Sequence, residues 1–253
     1  MRRTPRPLTA GLRFRRRLAF VAPLLLLQCG TIHEARSEST DVTLHVEIVA
    51  DGGRHHSSSP NPPAVAWLVP LSTGAAAAEP HTFRMVQKNK QFDPHLLVIP
   101  VGSTVEFPNL DPFFHNVFSF YNGKRFDLGL YETGSKRGVR FDREGVSYIF
   151  CNIHPEMGAV ILTLSTPYYA ISRDGGVTIS NVPPGRYLLN VWSEGATTES
   201  ENSARRQVTV AADGANLGNI SLVAAPSPIT RHANKFGQAY PPAANSEPSG
   251  TPY

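Results

Sequence analysis

The sequence predicts an all-β protein built as a sandwich of sheets. No segment of ten or more residues carries apolar positions at the helical period. Strand-length runs alternate instead, as in Val42 to Val49, where Val, Leu, Val and Ile interleave with Thr, His and Glu. Turn signals separate such runs at short intervals, among them Asp51-Gly52-Gly53, Gly102-Ser103 and Asp174-Gly175-Gly176.

The first 29 residues stand apart. Residues 1–17 hold seven arginines and no acid, and Leu18 to Leu27 is an apolar run too short to span a bilayer. Residues 1–29 therefore read as an export signal. Cys29 follows Leu26-Leu27-Gln28, a faint lipobox pattern, so this cysteine is a lipid-anchoring site, leaves with the signal, or is an incidental thiol. Of 24 basic residues seven lie in this leader, which leaves 17 against 20 acidic ones in the remainder. The basic pI thus belongs to the leader, and no basic, aromatic-rich patch follows it, so nucleic acid is not an expected partner. Past the leader the chain has a single cysteine, Cys151, which excludes an internal disulfide framework.

The strands follow in order. Residues 31–41 form a polar tether, then come the Val42–Val49 strand, a His55-His56 loop and a second strand from Ala64 to Leu71. A small-residue linker covers 72–80. From Gln87 onward short strands and turns alternate: Leu96–Val101, Thr104–Phe107, Val117–Tyr121, Ser135–Phe141, Val146–Cys151 and Ala159–Leu164. Later strands are expected at Val177–Ile179, after Pro183-Pro184-Gly185, and within 206–211 and 219–223. The tail from Ala224 to residue 253 is rich in Pro, Ala and Ser and is expected to be disordered.

One cluster carries chemistry. Tyr-Ile-Phe-Cys-Asn-Ile-His-Pro-Glu-Met (148–157) places Cys151, His154 and Met157 three residues apart. A thiolate, an imidazole and a thioether are the ligand types that favour copper. A His2Cys set with a weak axial Met is that of a blue-copper electron-transfer centre. The second imidazole is expected from His115 in Phe-Phe-His-Asn-Val (113–117). Zinc is the alternative metal, although a thioether suits it poorly. The other histidines sit in no comparable pattern.

Residues 87–164 resemble a cupredoxin of the plastocyanin and amicyanin type. The matching elements are Phe92-Asp-Pro94, Val98 to Phe107, Asn109, His115-Asn116, Gly145 to Cys151, His154, Met157 and the strand Ala159 to Leu164. The two-residue gap from His154 to Met157 resembles amicyanin rather than plastocyanin. The resemblance implies a Greek-key β-sandwich over residues 81–166 that binds one copper ion through His115, Cys151, His154 and Met157. It also implies single-electron transfer between redox partner proteins. Asn116 is similar to a family position whose hydrogen bonds tie the ligand segments together. Glu156 departs from the family by placing a carboxylate beside His154. Phe118, Phe120, Phe126 and Tyr131 are expected as packing residues.

Residues 168–191 resemble a carboxypeptidase regulatory-like β-sandwich, with an Asp-Gly turn, a short strand and Val-Pro-Pro-Gly-x-Tyr-x-Leu. This implies a second, small sandwich split into 42–75 and 166–223 by insertion of the copper domain. The alternative is one cupredoxin with β additions. No Ser-His-Asp set, carboxylate pair or phosphate loop is evident, so an enzyme is not expected. The resulting expectation is a periplasmic or extracellular electron carrier, tied to a membrane only through Cys29. A copper carrier or storage protein remains an alternative. So does an adhesion module using Trp67 and Trp192, though both tryptophans lie in strand patterns.

Overall fold

A computed structural model describes residues 39–49, 62–72, 77–120, 123–172 and 174–240. The leader, the His55-His56 loop and residues 241–253 lie outside the described residues.

The architecture is all-β. Thr40–Val49 (β1), Ala64–Pro70 (β2), Tyr169–Ser172 (β13), Gly176–Val182 (β14), Gly185–Ser193 (β15), Arg206–Val210 (β16) and Ala215–Val223 (β17) form two sheets, ordered β14-β1-β17 and β13-β2-β15-β16. Alternation places Val42, Leu44 and Val46 of β1 inward, against Ala66, Leu68, Ile179, Leu189, Val191, Ile220 and Leu222. At the β13–β14 turn Gly175 has φ +95°, and a Cβ there would lie 2.7 Å from the Val46 carbonyl oxygen.

Two further sheets come from the intervening chain. Thr82–Arg84 (β3), Thr104–Pro108 (β7) and Lys136–Arg140 (β10) form one, ordered β10-β7-β3. Leu96–Pro100 (β6), His115–Ser119 (β8), Phe126–Tyr131 (β9), Gly145–Phe150 (β11) and Gly158–Leu164 (β12) form the other, ordered β6-β12-β11-β8-β9. Val86–Lys88 (β4) and Gln91–Asp93 (β5) make a hairpin. The core between these layers holds Met85, Phe92, Ile99, Val105, Phe107, Val117, Tyr131, Phe141, Ile149, Cys151, Met157 and Ile161. Burying each large apolar side chain contributes about 1.5–3 kcal/mol.

Strand β12 reads Gly-Ala-Val-Ile-Leu-Thr-Leu because both its faces are covered. Ala159 and Ile161 face the second core, whereas Val160, Leu162 and Leu164 pack with Val65, Val98 and Trp192 in a third cluster. Trp192 is buried there, and Trp67 packs against the same cluster.

Several elements were not legible in the sequence. The strands β3, β4 and β5 have three residues each, too few to show alternation. The β4–β5 turn uses Asn89 and Lys90 at φ 55° and 54°, the left-handed pair of a type I′ hairpin. Strand β9, with Phe126 and Tyr131 at its ends, falls between the expected Val117–Tyr121 and Ser135–Phe141 strands. Phe118 and Tyr131 are buried and Phe126 is partly buried, but Phe120 is 44% exposed. A short helix, Thr198–Ala204 (α1), is capped by the Thr197 side chain, which accepts the Ser200 N–H. Two turns are too short for a helical period to register.

The tail departs most from expectation. Residues 224–240, expected to be disordered, lie packed along the fold. Ala224 pairs with Ala196, Pro228–Arg231 forms a 3-10 turn, and His232 stacks on Phe150 with ring centroids 4.1 Å apart. Composition foretold little burial, but Ile229 and His232 meet an apolar surface made by β11 and β12.

Candidate metal centre

His115 opens β8, and Cys151 follows the last residue of β11. The two strands are neighbours through the Phe150–Phe118 pair. The loop 151–157 folds back on itself: Met157 N–H donates to the His154 carbonyl at 3.0 Å, and Cys151 N–H donates to the Met157 carbonyl at 3.3 Å. A tight loop between two paired strands therefore holds three side chains whose spacing in the sequence is short.

Their donor atoms converge with His115. The Cys151 sulfur lies 3.7 Å from His115 Nδ1 and 3.6 Å from His154 Nδ1, and the two Nδ1 atoms are 3.1 Å apart. All ligand atoms of this trio lie within 4.8 Å of one another. His115 and Cys151 are fully buried and His154 is half-buried, so only one imidazole edge reaches solvent. Met157 is fully buried in the same core cluster as Cys151. Phe113 packs edge-on against His115 and at a tilt against His154.

The surroundings set protonation. Nε2 of His115 lies 2.8 Å from Asp111 Oδ2. An ionised carboxylate only accepts, so Nε2 carries the proton and Nδ1 keeps its lone pair for a metal. Asp111 also accepts the Asn89 and Lys90 backbone N–H groups at 2.6 and 2.9 Å. Burial works to raise the Asp111 carboxyl, but the Lys90, His115 and Asn89 bonds together hold it below the usual range. Burial and the neighbouring His115 depress His154, which favours its neutral, metal-ready form. Burial pushes the Cys151 thiol up, against hydrogen bonds from the Asn116, Ile153 and His154 backbones that favour thiolate. A cation beside the sulfur would tip that balance toward thiolate.

Asn116 links the segment of His115 to that of Cys151 through its backbone. Its backbone, not its side chain, reaches the Cys151 sulfur, while Nδ2 donates to Asp127 Oδ1 of β9 at 2.7 Å. Asp111 was missed in the sequence. Its signal was a carboxylate four residues before the ligand-type histidine, inside a segment that reads as a plain turn. Tyr240 was missed as well: its hydroxyl donates to the Cys151 carbonyl at 2.8 Å.

No protein-family model matches the chain, and no curated protein matches it. Parts of solved structures are similar. A copper-containing nitrite reductase from Thermus scotoductus SA-01 is 29% identical over 38% of this chain, with a TM-score of 0.33. That likeness spans only 25% of the reductase chain. A purple cupredoxin from Nitrosopumilus maritimus is 28% identical over 32% of this chain and 99% of its own, with a TM-score of 0.30. An amicyanin from Paracoccus versutus is 21% identical over 38% of this chain and 91% of its own, with a TM-score of 0.30.

Proposed function

We propose that this protein is an exported type 1 copper protein that carries single electrons between redox partner proteins. The observation that carries this reading is the convergence of a buried thiol and two imidazole Nδ1 atoms within 4.8 Å. The residues fit copper: one thiolate and two imidazoles, with the Met157 thioether supplied by the same loop. When bound, one copper ion per chain supplies reversible one-electron chemistry.

The protein residues do the rest. Asp111 fixes the His115 tautomer through a buried hydrogen bond. The backbone N–H groups around Cys151 favour its anion. Packing of His115, Cys151 and Met157 in the core holds the ligands in one arrangement and keeps solvent out. The half-exposed edge of His154 is the route for electrons to a partner. With every ligand supplied by the chain, no position is left for a substrate, so the protein is not itself an enzyme.

On this reading residues 81–166 are a copper domain inserted between the two halves of a small sandwich, 42–75 and 166–223. The pairing of β1 and β2 with strands of 169–223 favours it. Residues 1–29 direct export to the periplasm or beyond, with Cys29 as the site of any lipid anchor.

Optical and paramagnetic-resonance spectra of the purified protein titrated with Cu(II) test the proposal. An intense visible thiolate-to-copper band is expected, bleached reversibly by reductant and lost in Cys151→Ala. A colourless protein, or one that binds zinc equally well, would refute the electron-carrier reading. Weak, readily exchanged copper with an altered spectrum would point to a carrier instead.

A further inference from the structure

The chain from Ala225 to Tyr240 runs as a strap from the end of the small sandwich to the back of the ligand loop. It begins where Ala225 N–H donates to the Gly195 carbonyl and the Ser227 hydroxyl donates to Glu194. Ile229 then packs against Gly158, one residue beyond Met157. His232 lies flat on Phe150, its ring inclined by 14°. Its Nδ1 bonds the Ile229 carbonyl at 2.8 Å, which keeps the strap turned onto that ring.

Two contacts reach the site. Tyr240 donates its hydroxyl to the carbonyl of Cys151 itself at 2.8 Å, and Lys235 N–H donates to Asn152 Oδ1 at 2.9 Å. A third route runs through side chains. Lys235 Nζ pairs with Asp127 Oδ2 at 2.9 Å, and Asp127 Oδ1 accepts from Asn116 at 2.7 Å. The backbone N–H of Asn116 points at the Cys151 sulfur. The strap therefore grips both the carbonyl of the ligand cysteine and the residue whose amide faces its sulfur.

We infer that Tyr240 and Lys235 are positioning residues for Cys151, through which the C-terminal strap sets the electronic state and the accessibility of the thiolate. The inference rests on the copper reading above. Its physical basis is the sign of the two groups. The Tyr240 O–H dipole and the Lys235 ammonium both present positive charge toward the site, which stabilises the electron-rich Cu(I) state. Removing either leaves that state less favoured. Removing Lys235 also leaves Asp127 uncompensated, in the same direction.

The test uses full-length Tyr240→Phe and Lys235→Met, in copper-loaded and copper-free protein. Each variant is expected to shift the Cu(II)/Cu(I) balance about threefold toward Cu(II), ~30 mV at 59 mV per tenfold. The thiolate-to-copper band should move with it. In copper-free protein, maleimide labelling of Cys151, located by peptide mass, should run about tenfold faster in Tyr240→Phe, because the loop opens more often. A lowered melting temperature with unchanged potential and band would mean a merely structural strap and overturn the inference. An unchanged labelling rate would overturn it too. If the wild type gives no type 1 spectrum the copper reading fails, and the labelling rates alone still judge the strap.

Discussion

Asp111 and His115 share a buried hydrogen bond of 2.8 Å, and the same carboxylate holds the Asn89–Lys90 hairpin turn by two backbone N–H groups. One side chain thus ties the His115 imidazole to a turn some twenty residues before Asp111. Asp111→Ala is expected to weaken copper binding about 10–100-fold, read by competition with a chromophoric Cu(I) chelator. It should also cost about 1–3 kcal/mol of unfolding free energy, because the buried His115 Nε2 and the two hairpin N–H groups lose their acceptor. Asp111→Asn, which keeps one carbonyl oxygen, should lose less of both.

Met157 separates packing from ligation. Its side chain is fully buried, so Met157→Ala should destabilise the fold by about 2–5 kcal/mol through a cavity. Met157→Leu preserves volume and should cost under about 1.5 kcal/mol. It should nevertheless change the visible spectrum and raise the reduction potential if the thioether is an axial ligand. Equal spectra for Met157→Leu and the wild type would remove Met157 from the ligand set.

His95 and Glu194 form a pH-sensitive link between the start of β6 and the end of β15, 2.6 Å from Nε2 to Oε2. The hydrogen bond to Glu194 raises His95 above its ordinary value, against burial. Burial tends to raise Glu194, but the His95 and Ser227 bonds hold it low. His95 therefore contributes stability fully below about pH 6.5, and that share is lost as pH rises through its raised value. The Glu194 share is present above about pH 4.3 and is lost on further acidification. Thermal melts should show the wild type losing more stability than His95→Gln between pH 6 and 9, with the difference gone at pH 9.

Glu201 has the opposite character. Burial raises its carboxyl to about 7, and one backbone N–H, from Ser193, partly offsets that. A carboxyl raised on folding favours the folded state most when protonated, so stability is lost as pH rises from about 4.3, where the unfolded carboxyl ionises, to about 7, where the folded one does. Glu201→Gln should raise the melting temperature at pH 8 by about 2–4 °C, on the order of 1 kcal/mol after solvent screening. Below about pH 4 the two proteins should melt alike.

Gly158 reports on the strap. A Cβ there would stand 2.3 Å from Ile229 Cγ2. Gly158→Ala should cost about 1–3 kcal/mol by forcing Ile229 away. The double variant with Ile229→Ala should regain part of that loss, a coupling that a thermodynamic cycle reads directly. Strict additivity would show that the contact does not hold the strap.

The sequence by itself determined the all-β class, most of the longer strands and the spacing of Cys151, His154 and Met157. These are local properties. Alternation reports a half-buried strand over a few residues, and a loop of seven residues between two strands fixes its own side chains. What only the tertiary structure decided depends on chain segments far apart. The pairing of β8 with β11 brings His115 beside Cys151 across 36 residues. Asp111 becomes a partner of His115 and of a distant hairpin turn only when the β4–β5 hairpin closes on it. The tail reads as disordered because composition counts how much a segment can bury by itself. Folded strands supply the missing surface, and Tyr240 finds the Cys151 carbonyl 89 residues away. Periodicity records which face of an element is apolar, and it carries no information about which other segment will cover it.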